Sequence, residues 1–208
     1  MVEPSVGPGG GAERVARRGR RPAGQDARGA ILEAARMEFA EQGYDGASMR
    51  SVARRAGVDP GTVRHWFPEK SALLPAALGL AEVSPHEIVK QVVDGPLDRL
   101  GERLVRVALK VWDDAGPDLM RVALPAVLGS PELRSLMPQF LLAEVLGPIA
   151  RNLPSEDAAL RTSLLGSQMI GLAMARYVVG LEPIASLPAD GVVAAVAPNL
   201  QRYLTGKL

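Results

Sequence analysis

The sequence predicts an all-α fold in two parts, a small N-terminal helical module followed by a larger helical one. Three observations carry this. Apolar residues recur at helical spacing from residue 26 onward, and proline and glycine punctuate them as starts and stops. No stretch alternates with period two between turn residues, so no strand is expected. A chain of 208 residues, 47% hydrophobic and 23% charged, can bury cores of this kind. The expected division is 1–25 as a disordered arm, 26–72 as the small module and 73–208 as the large one.

Residues 1–25 hold little apolar surface and many Gly, Pro and Arg, too little to offset the entropy of ordering. From Asp26, a plausible N-cap, Ile31, Ala34, Ala35 and Phe39 recur at helical spacing, and Gly43 stops the first helix. Ser48 caps a short second helix, Met49 to Ala56, which Gly57 ends. Asp59 and Pro60 form the N-cap and N1 pair of a third helix, with Val58 and Val63 placed as a hydrophobic staple; Pro68 ends it. A fourth helix is expected from Ser71 to about Val83, kinked or shifted by Pro75. Further helices are expected near Pro85–Val93, Pro96–Asp114, Pro117–Leu128, Pro131–Leu153, Ser155–Val179 and Pro188–Leu204, the last kinked or divided by Pro198.

The net charge of +1 hides two local basic clusters. One is the arm with Arg14, Arg17, Arg18, Arg20 and Arg21. The other is Arg50, Arg54, Arg55, Arg64 and Lys70, against only Asp59 and Glu69 nearby. Clusters of this kind near one end are the electrostatic footprint of a polyanion binder. The absence of cysteine excludes disulfides, thiolate metal sites and Cys nucleophiles. No apolar leader and no uninterrupted apolar run of membrane length is seen, so a cytoplasmic location is expected, with no membrane partner.

Residues 48–67 read as two short helices joined by a tight turn, in the order Ala53, three residues, Gly57, then Val63. This is helix-turn-helix spacing. Ala53 is small because the next helix crosses close above it, and Gly57 supplies positive φ without steric cost. Val52, Val58, Val63 and Phe67 should face inward. Gly61, Thr62, Arg64, His65 and Trp66 fall outside that stripe, and the start of the third helix should offer N–H groups to a phosphate.

The stretch ILEAARMEFAEQGYDGASMRSVARRAGVDPGTVRHWFPEKSALL, about a fifth of the chain, resembles the DNA-binding domain of TetR-family transcriptional regulators. The matching features are the Ala-rich first helix closing on Phe39 and Gly43-Tyr44, Ser48 before Arg50, Val52-Ala53, Ala56-Gly57-Val58, Gly61-Thr62 and Phe67-Pro68-Glu69-Lys70. The resemblance implies that the third helix enters the major groove, with Gly61, Arg64 and His65 nearest the bases. It implies that Thr62, Trp66 and Lys70 hold phosphates, that Ser48 belongs to the DNA-binding surface, and that Arg50 can reach a guanine, whose O6 and N7 an arginine fork fits. Arg64 and Trp66 stand where the family more often has Tyr, or Tyr and His, so base preferences do not transfer. The arm residues Arg17, Arg18, Arg20 and Arg21 can enter a narrow A·T-rich minor groove or remain a solvated tail.

The resemblance also implies a homodimer through the last two long helices and a small-molecule effector inside the C-terminal module. Ser163, Ser167, Gly171 and Ala175 recur every four residues, a small-residue stripe that lets another helix approach; Val196, Leu200 and Tyr203 give the last helix an apolar face. Intramolecular packing is the alternative for both. Candidate effector-lining residues are Trp112, Met120, Met137, Phe140, Met169 and Tyr177, with Gln168 and Arg176 as polar handles; Met and aromatic residues at this spacing also serve as plain core.

The expected partners are therefore double-stranded operator DNA, a small effector and a second copy of the chain, with no cofactor and no metal. An effector-independent architectural DNA-binding protein is the alternative. An enzyme is disfavoured: there are two histidines, no cysteine, and no metal-protease, nucleophile-elbow, Walker or dinucleotide pattern in a usable context.

Overall fold

A computed structural model describes residues 23–79, 84–116, 120–122, 125–126 and 129–208, with side chains from Ala27 onward. Every regular element among them is helical. The arginines of the expected arm, Arg17, Arg18, Arg20 and Arg21, lie outside the described residues.

Helix α1 (Ala23–Gly46) begins three residues before Asp26, the expected N-cap. Its regular geometry breaks at Gly43 (φ 70, ψ 178), where the sequence places the stop. Helices α2 (Met49–Ala56) and α3 (Pro60–Trp66) keep the expected bounds. Helix α4 (Lys70–Ala77) runs through Pro75. It ends at Ala77, short of the expected Val83, because the chain turns at Leu78 and Gly79, the latter at φ 73.

Helix α5 (Pro85–Val93) matches its expectation, and a 3₁₀ turn (Leu97–Arg99) leads into α6 (Leu100–Ala115). Of the expected helix Pro117–Leu128, residues 120–122, 125 and 126 are described and helical. The single helix expected over Pro131–Leu153 is α7 (Pro131–Leu141), a π-helical turn (Leu142–Leu146) and α8 (Gly147–Arg151). Helix α9 (Ala158–Ala173) ends in a second π-helical turn (Met174–Val179), and α10 (Ala189–Thr205) closes the chain.

Pro198 does not divide α10. Pro198 and Ala194, whose carbonyl loses its usual partner, are both exposed, so water can satisfy that oxygen.

Two cores hold these helices. The first gathers Ile31, Ala35 and Phe39 of α1, Val52 and Ala53 of α2, Val63 and Phe67, and Leu73 and Leu74 of α4. Leu136 and Phe140 of α7 complete it, so a helix of the large module closes the core of the small one. The second core joins Leu100, Leu104, Val105 and Leu109 of α6 to Val192, Val193, Leu200 and Leu204 of α10, with Leu165, Met169 and Leu172 of α9. Gly101 permits the closest approach between α6 and α10: a Cβ there would stand 2.7 Å from the Gln201 backbone nitrogen and 2.8 Å from the Ala197 carbonyl oxygen. The Gly101 N–H, unpaired within its own first turn, donates to Gln201 Oε1 at 2.8 Å.

Candidate nucleic-acid interface

The geometry of residues 48–67 follows from a few local side-chain choices. Ser48 Oγ accepts from the Ser51 N–H at 3.1 Å while Ser51 Oγ accepts from the Ser48 N–H at 3.0 Å, a reciprocal capping box that starts α2. Gly57 turns the chain in the left-handed region at φ 67, and the Val58 N–H closes the turn on the Ala53 carbonyl at 3.1 Å. Asp59 then caps α3, accepting from the Gly61 N–H at 2.7 Å. Val63 is fully buried and Phe67 nearly so, which seats α3 on α1 and α2.

This seating leaves Gly61, Arg64 and His65 exposed on the outer side of α3, with Thr62 half-buried. Trp66 has a divided role. Its ring packs on the first core and meets the His65 ring edge-on at 5.7 Å, yet part of it stays accessible. The start of α3 is less open to phosphate than its sequence implies. Pro60 has no N–H, Gly61 donates to the Asp59 carboxylate, and Thr62 donates to the Asp59 carbonyl at 2.9 Å.

On α2 the three arginines divide between two flanks. Arg55 turns to α1 and binds Glu38 at 2.6 Å and Glu41 at 2.9 Å. Hydrogen bonds from Ser51 and Arg55 hold the buried Glu38 carboxyl below its ordinary value, so this anchor is ionised. Arg50 and Arg54 lie on the other flank, exposed. Lys70, expected at a phosphate, points inward instead: its Nζ donates to the carbonyls of Tyr44 at 2.9 Å and Ala47 at 3.2 Å and sits 4.4 Å over the Tyr44 ring. The ammonium satisfies carbonyls that the break at Gly43 leaves without helical partners.

In the C-terminal module the eight expected effector-lining residues do not converge. Phe140 and Met137 hang from α7 and pack in or against the first core. Met169 and Trp112 belong to the second core, where the Trp112 ring meets Tyr177 edge-on at 5.8 Å and the Tyr177 hydroxyl donates to Asp113 Oδ1 at 2.6 Å. Burial, then that bond, pushes the Tyr177 hydroxyl up to about 12. Arg176 Nη1 holds the carbonyls of Ile184 and Leu187, each at 2.7 Å, and so fixes the connection to α10. Gln168 is exposed and Met120 half-buried. Two concavities stand elsewhere: an open groove of about 500 Å³ between α6 and α10, and an apolar slot of about 190 Å³ between α1, α4 and α7.

Of the expected dimer residues, Ser163, Ser167 and Gly171 are exposed along α9, beside Leu160 and Ile170, which are 54% and 48% exposed. Ala175 is half-buried. Val196 and Tyr203 are half-buried and pack on the second core, and Leu200 is wholly buried within it. Leu200 thus faces its own α6 rather than a partner, because the apolar face of α10 is taken up by the intramolecular core.

Two family profiles match the chain. "Bacterial regulatory proteins, tetR family" covers residues 31–77, and "Tetracyclin repressor-like, C-terminal domain" covers residues 98–204, more than half of the chain. Among individual relatives, the regulator UidR of Escherichia coli K12 is 41% identical over 54 residues, 26% of this chain and 28% of UidR, so the chain spans little more than a quarter of that relative. The regulator BetI of Cronobacter sakazakii is 26% identical over 158 residues, covering 68% of this chain and 75% of BetI. A solved TetR-family regulator of Streptomyces coelicolor is 38% identical, covering 90% of this chain and 99% of that one, with a TM-score of 0.45. No helix among the described residues is long and apolar enough to cross a membrane. One profile lies on the helix-turn-helix just described and the other over most of the helices behind it: the chain belongs to the TetR family of bacterial transcriptional regulators.

Proposed function

We propose that the chain is a cytoplasmic, ligand-responsive repressor that binds a near-palindromic operator as a homodimer and is released by a small-molecule effector. The observation that carries this reading is the outer side of α3, where Gly61, Arg64 and His65 stand exposed on a helix fixed from behind by Val63 and Phe67. Arg64 reads bases, His65 and Gly61 set the closeness of approach, and Arg50 reaches a guanine or a neighbouring phosphate. Thr62 and the accessible edge of Trp66 lie on the backbone side; an indole N–H donates to phosphate and cannot accept.

The dimer forms on the exposed stripe of α9, with Leu160 and Ile170 flanking Ser163, Ser167 and Gly171. The effector acts at the Trp112–Met169–Tyr177 end of the C-terminal module. It works only through a difference in affinity between the DNA-binding conformation and another. Footprinting on the DNA flanking the chain's own gene tests the reading. A protected, near-symmetric site is expected, with half-sites about one helical turn or a multiple apart. Uniform protection without a site would leave only sequence-independent binding.

A further inference from the structure

We infer that this chain grips the DNA backbone with the outer flank of α2, through Arg54 beside Arg50, and that Lys70 has no part in that grip. The inference rests on the DNA-binding reading above and assigns a phosphate contact within it.

The charges of α2 fall into two sets. Arg55 is committed to Glu38 and Glu41, so one of the three arginines is structural. Arg50 and Arg54 are four residues apart and share one flank, with Arg54 about 100° round the helix from Arg55, offset from each other by ~6 Å along the axis. Both are exposed, and neither makes a hydrogen bond or ion pair with any described residue. Glu38, already held by Ser51 and Arg55, feels Arg54 only as a weak, more distant charge. Two like charges at this spacing slightly destabilise an isolated helix. Of the other exposed arginines, Arg36, Arg99 and Arg106 are paired with acids, while Arg64, Arg134, Arg151 and Arg202 make no ion pair with a described residue. The unneutralised pair therefore stands on the same module as exposed Arg64, the arrangement a polyanion would neutralise.

Lys70 behaves in the opposite way. A lysine that held phosphate would keep its ammonium in water. Here two of its three donors are taken by the Tyr44 and Ala47 carbonyls, and the charge lies over the Tyr44 ring. Turning it outward would strip two carbonyls of their donor. Lys70 holds α4 against the end of α1.

The competing account of Arg54 is that a cation in the last turn of α2 merely complements the helix dipole. Salt dependence separates the two. The full chain is titrated against a mixed-sequence DNA duplex at several salt concentrations, alongside the variants Arg54→Ala, Arg54→Lys and Lys70→Met. Arg54→Ala should lower the slope of log affinity against log salt by about 0.9 for each bound chain, with equal loss on every duplex sequence. Arg54→Lys should restore the slope, because a point charge serves a phosphate. Lys70→Met should leave the slope unchanged and lower the melting temperature.

Arg54→Ala with the parental slope and a reduced melting temperature would overturn the inference in favour of the dipole account. So would a Lys70→Met variant that melts normally but loses slope. A parent that does not bind the duplex would overturn the DNA-binding reading and this inference with it; a binding parent with an indifferent Arg54→Ala overturns this inference alone.

Discussion

The hydroxyl of Tyr44 donates to Glu144 Oε1 at 2.7 Å, joining the end of α1, just past its break at Gly43, to the π-helical turn after α7, one hundred residues away in sequence. The same residue donates its backbone N–H to Gln139 Oε1 at 3.0 Å, stacks on Phe39 and meets Phe140 edge-on. Lys70 covers its other face. The segment that leads into the helix-turn-helix is thus clamped from α1, α4 and α7 together. A displacement of α7 must either carry Tyr44 with it or break these bonds.

Tyr44→Phe keeps the ring contacts and removes the bond to Glu144. Glu144 is half-exposed and can take up water, so the expected cost is about 1 kcal/mol of unfolding free energy. Tyr44→Ala also empties the ring's place in the first core and should cost about 3–5 kcal/mol. Urea unfolding of the two variants checks the ordering. Equal losses would mean that the ring packing contributes nothing.

Alkaline stability follows from the two buried tyrosines. Burial, followed by a hydrogen bond to a carboxylate, raises the Tyr44 and Tyr177 hydroxyls above their ordinary value. In the unfolded chain both lose their protons near pH ~10, while the folded chain retains them. The unfolded state then binds fewer protons, so stability falls as pH rises. The contribution is fully present below pH ~10 and, for Tyr177, disappears between there and about 12. The urea midpoint should decline over that window, and less steeply in Tyr177→Phe. Parallel declines in parent and variant would refute the assignment.

Two glycines separate backbone strain from steric overlap. Gly57 has left-handed φ, but a Cβ added there would meet nothing within 4 Å, so Gly57→Ala should cost about 1–2 kcal/mol through the backbone alone. At Gly101 the methyl group would collide with the backbone of α10, which cannot rotate away. Gly101→Ala should force α6 and α10 apart and cost about 3 kcal/mol or more. Chemical denaturation decides it; a Gly101→Ala variant as stable as the parent would contradict the close approach.

The dimer proposal makes opposite demands on two apolar residues. Ile170→Glu, on the exposed face of α9, should convert dimer to monomer in sedimentation with its helix content intact. Leu200→Ala, inside the second core, should cost about 2–5 kcal/mol of stability. Dimerisation lost in Leu200→Ala alone, in a folded chain, would place the interface on α10.

The DNA-binding module is legible in the sequence because its signals are local. Ser48, Gly57, Asp59 and Pro60 each dictate a cap or a turn within three residues, and α2 and α3 fall where they say. What stays hidden depends on distance in sequence. Nothing in the local sequence shows that Lys70 will reach back to Tyr44 or that Tyr44 will find Glu144. Helical spacing marks Phe140 and Met169 as inward-facing but cannot say into which of two cores, so residues assigned to one effector pocket divide between both. Leu200 is misplaced for the same reason, since an apolar face looks alike whether its partner is α6 or another chain. Arg54 needs only the i, i+4 relation to Arg50; what singles it out is that Arg55 takes the acids.

The central claim is that this chain binds DNA through the outer face of its helix-turn-helix, and equilibrium binding to the duplex flanking its own gene tests it most directly. Binding should be tight and weaken steeply between roughly 50 and 200 mM salt, with Arg64→Ala losing about 1–3 kcal/mol of discrimination at one base position per half-site. Binding that is absent, or flat with salt and indifferent to Arg64, would contradict it.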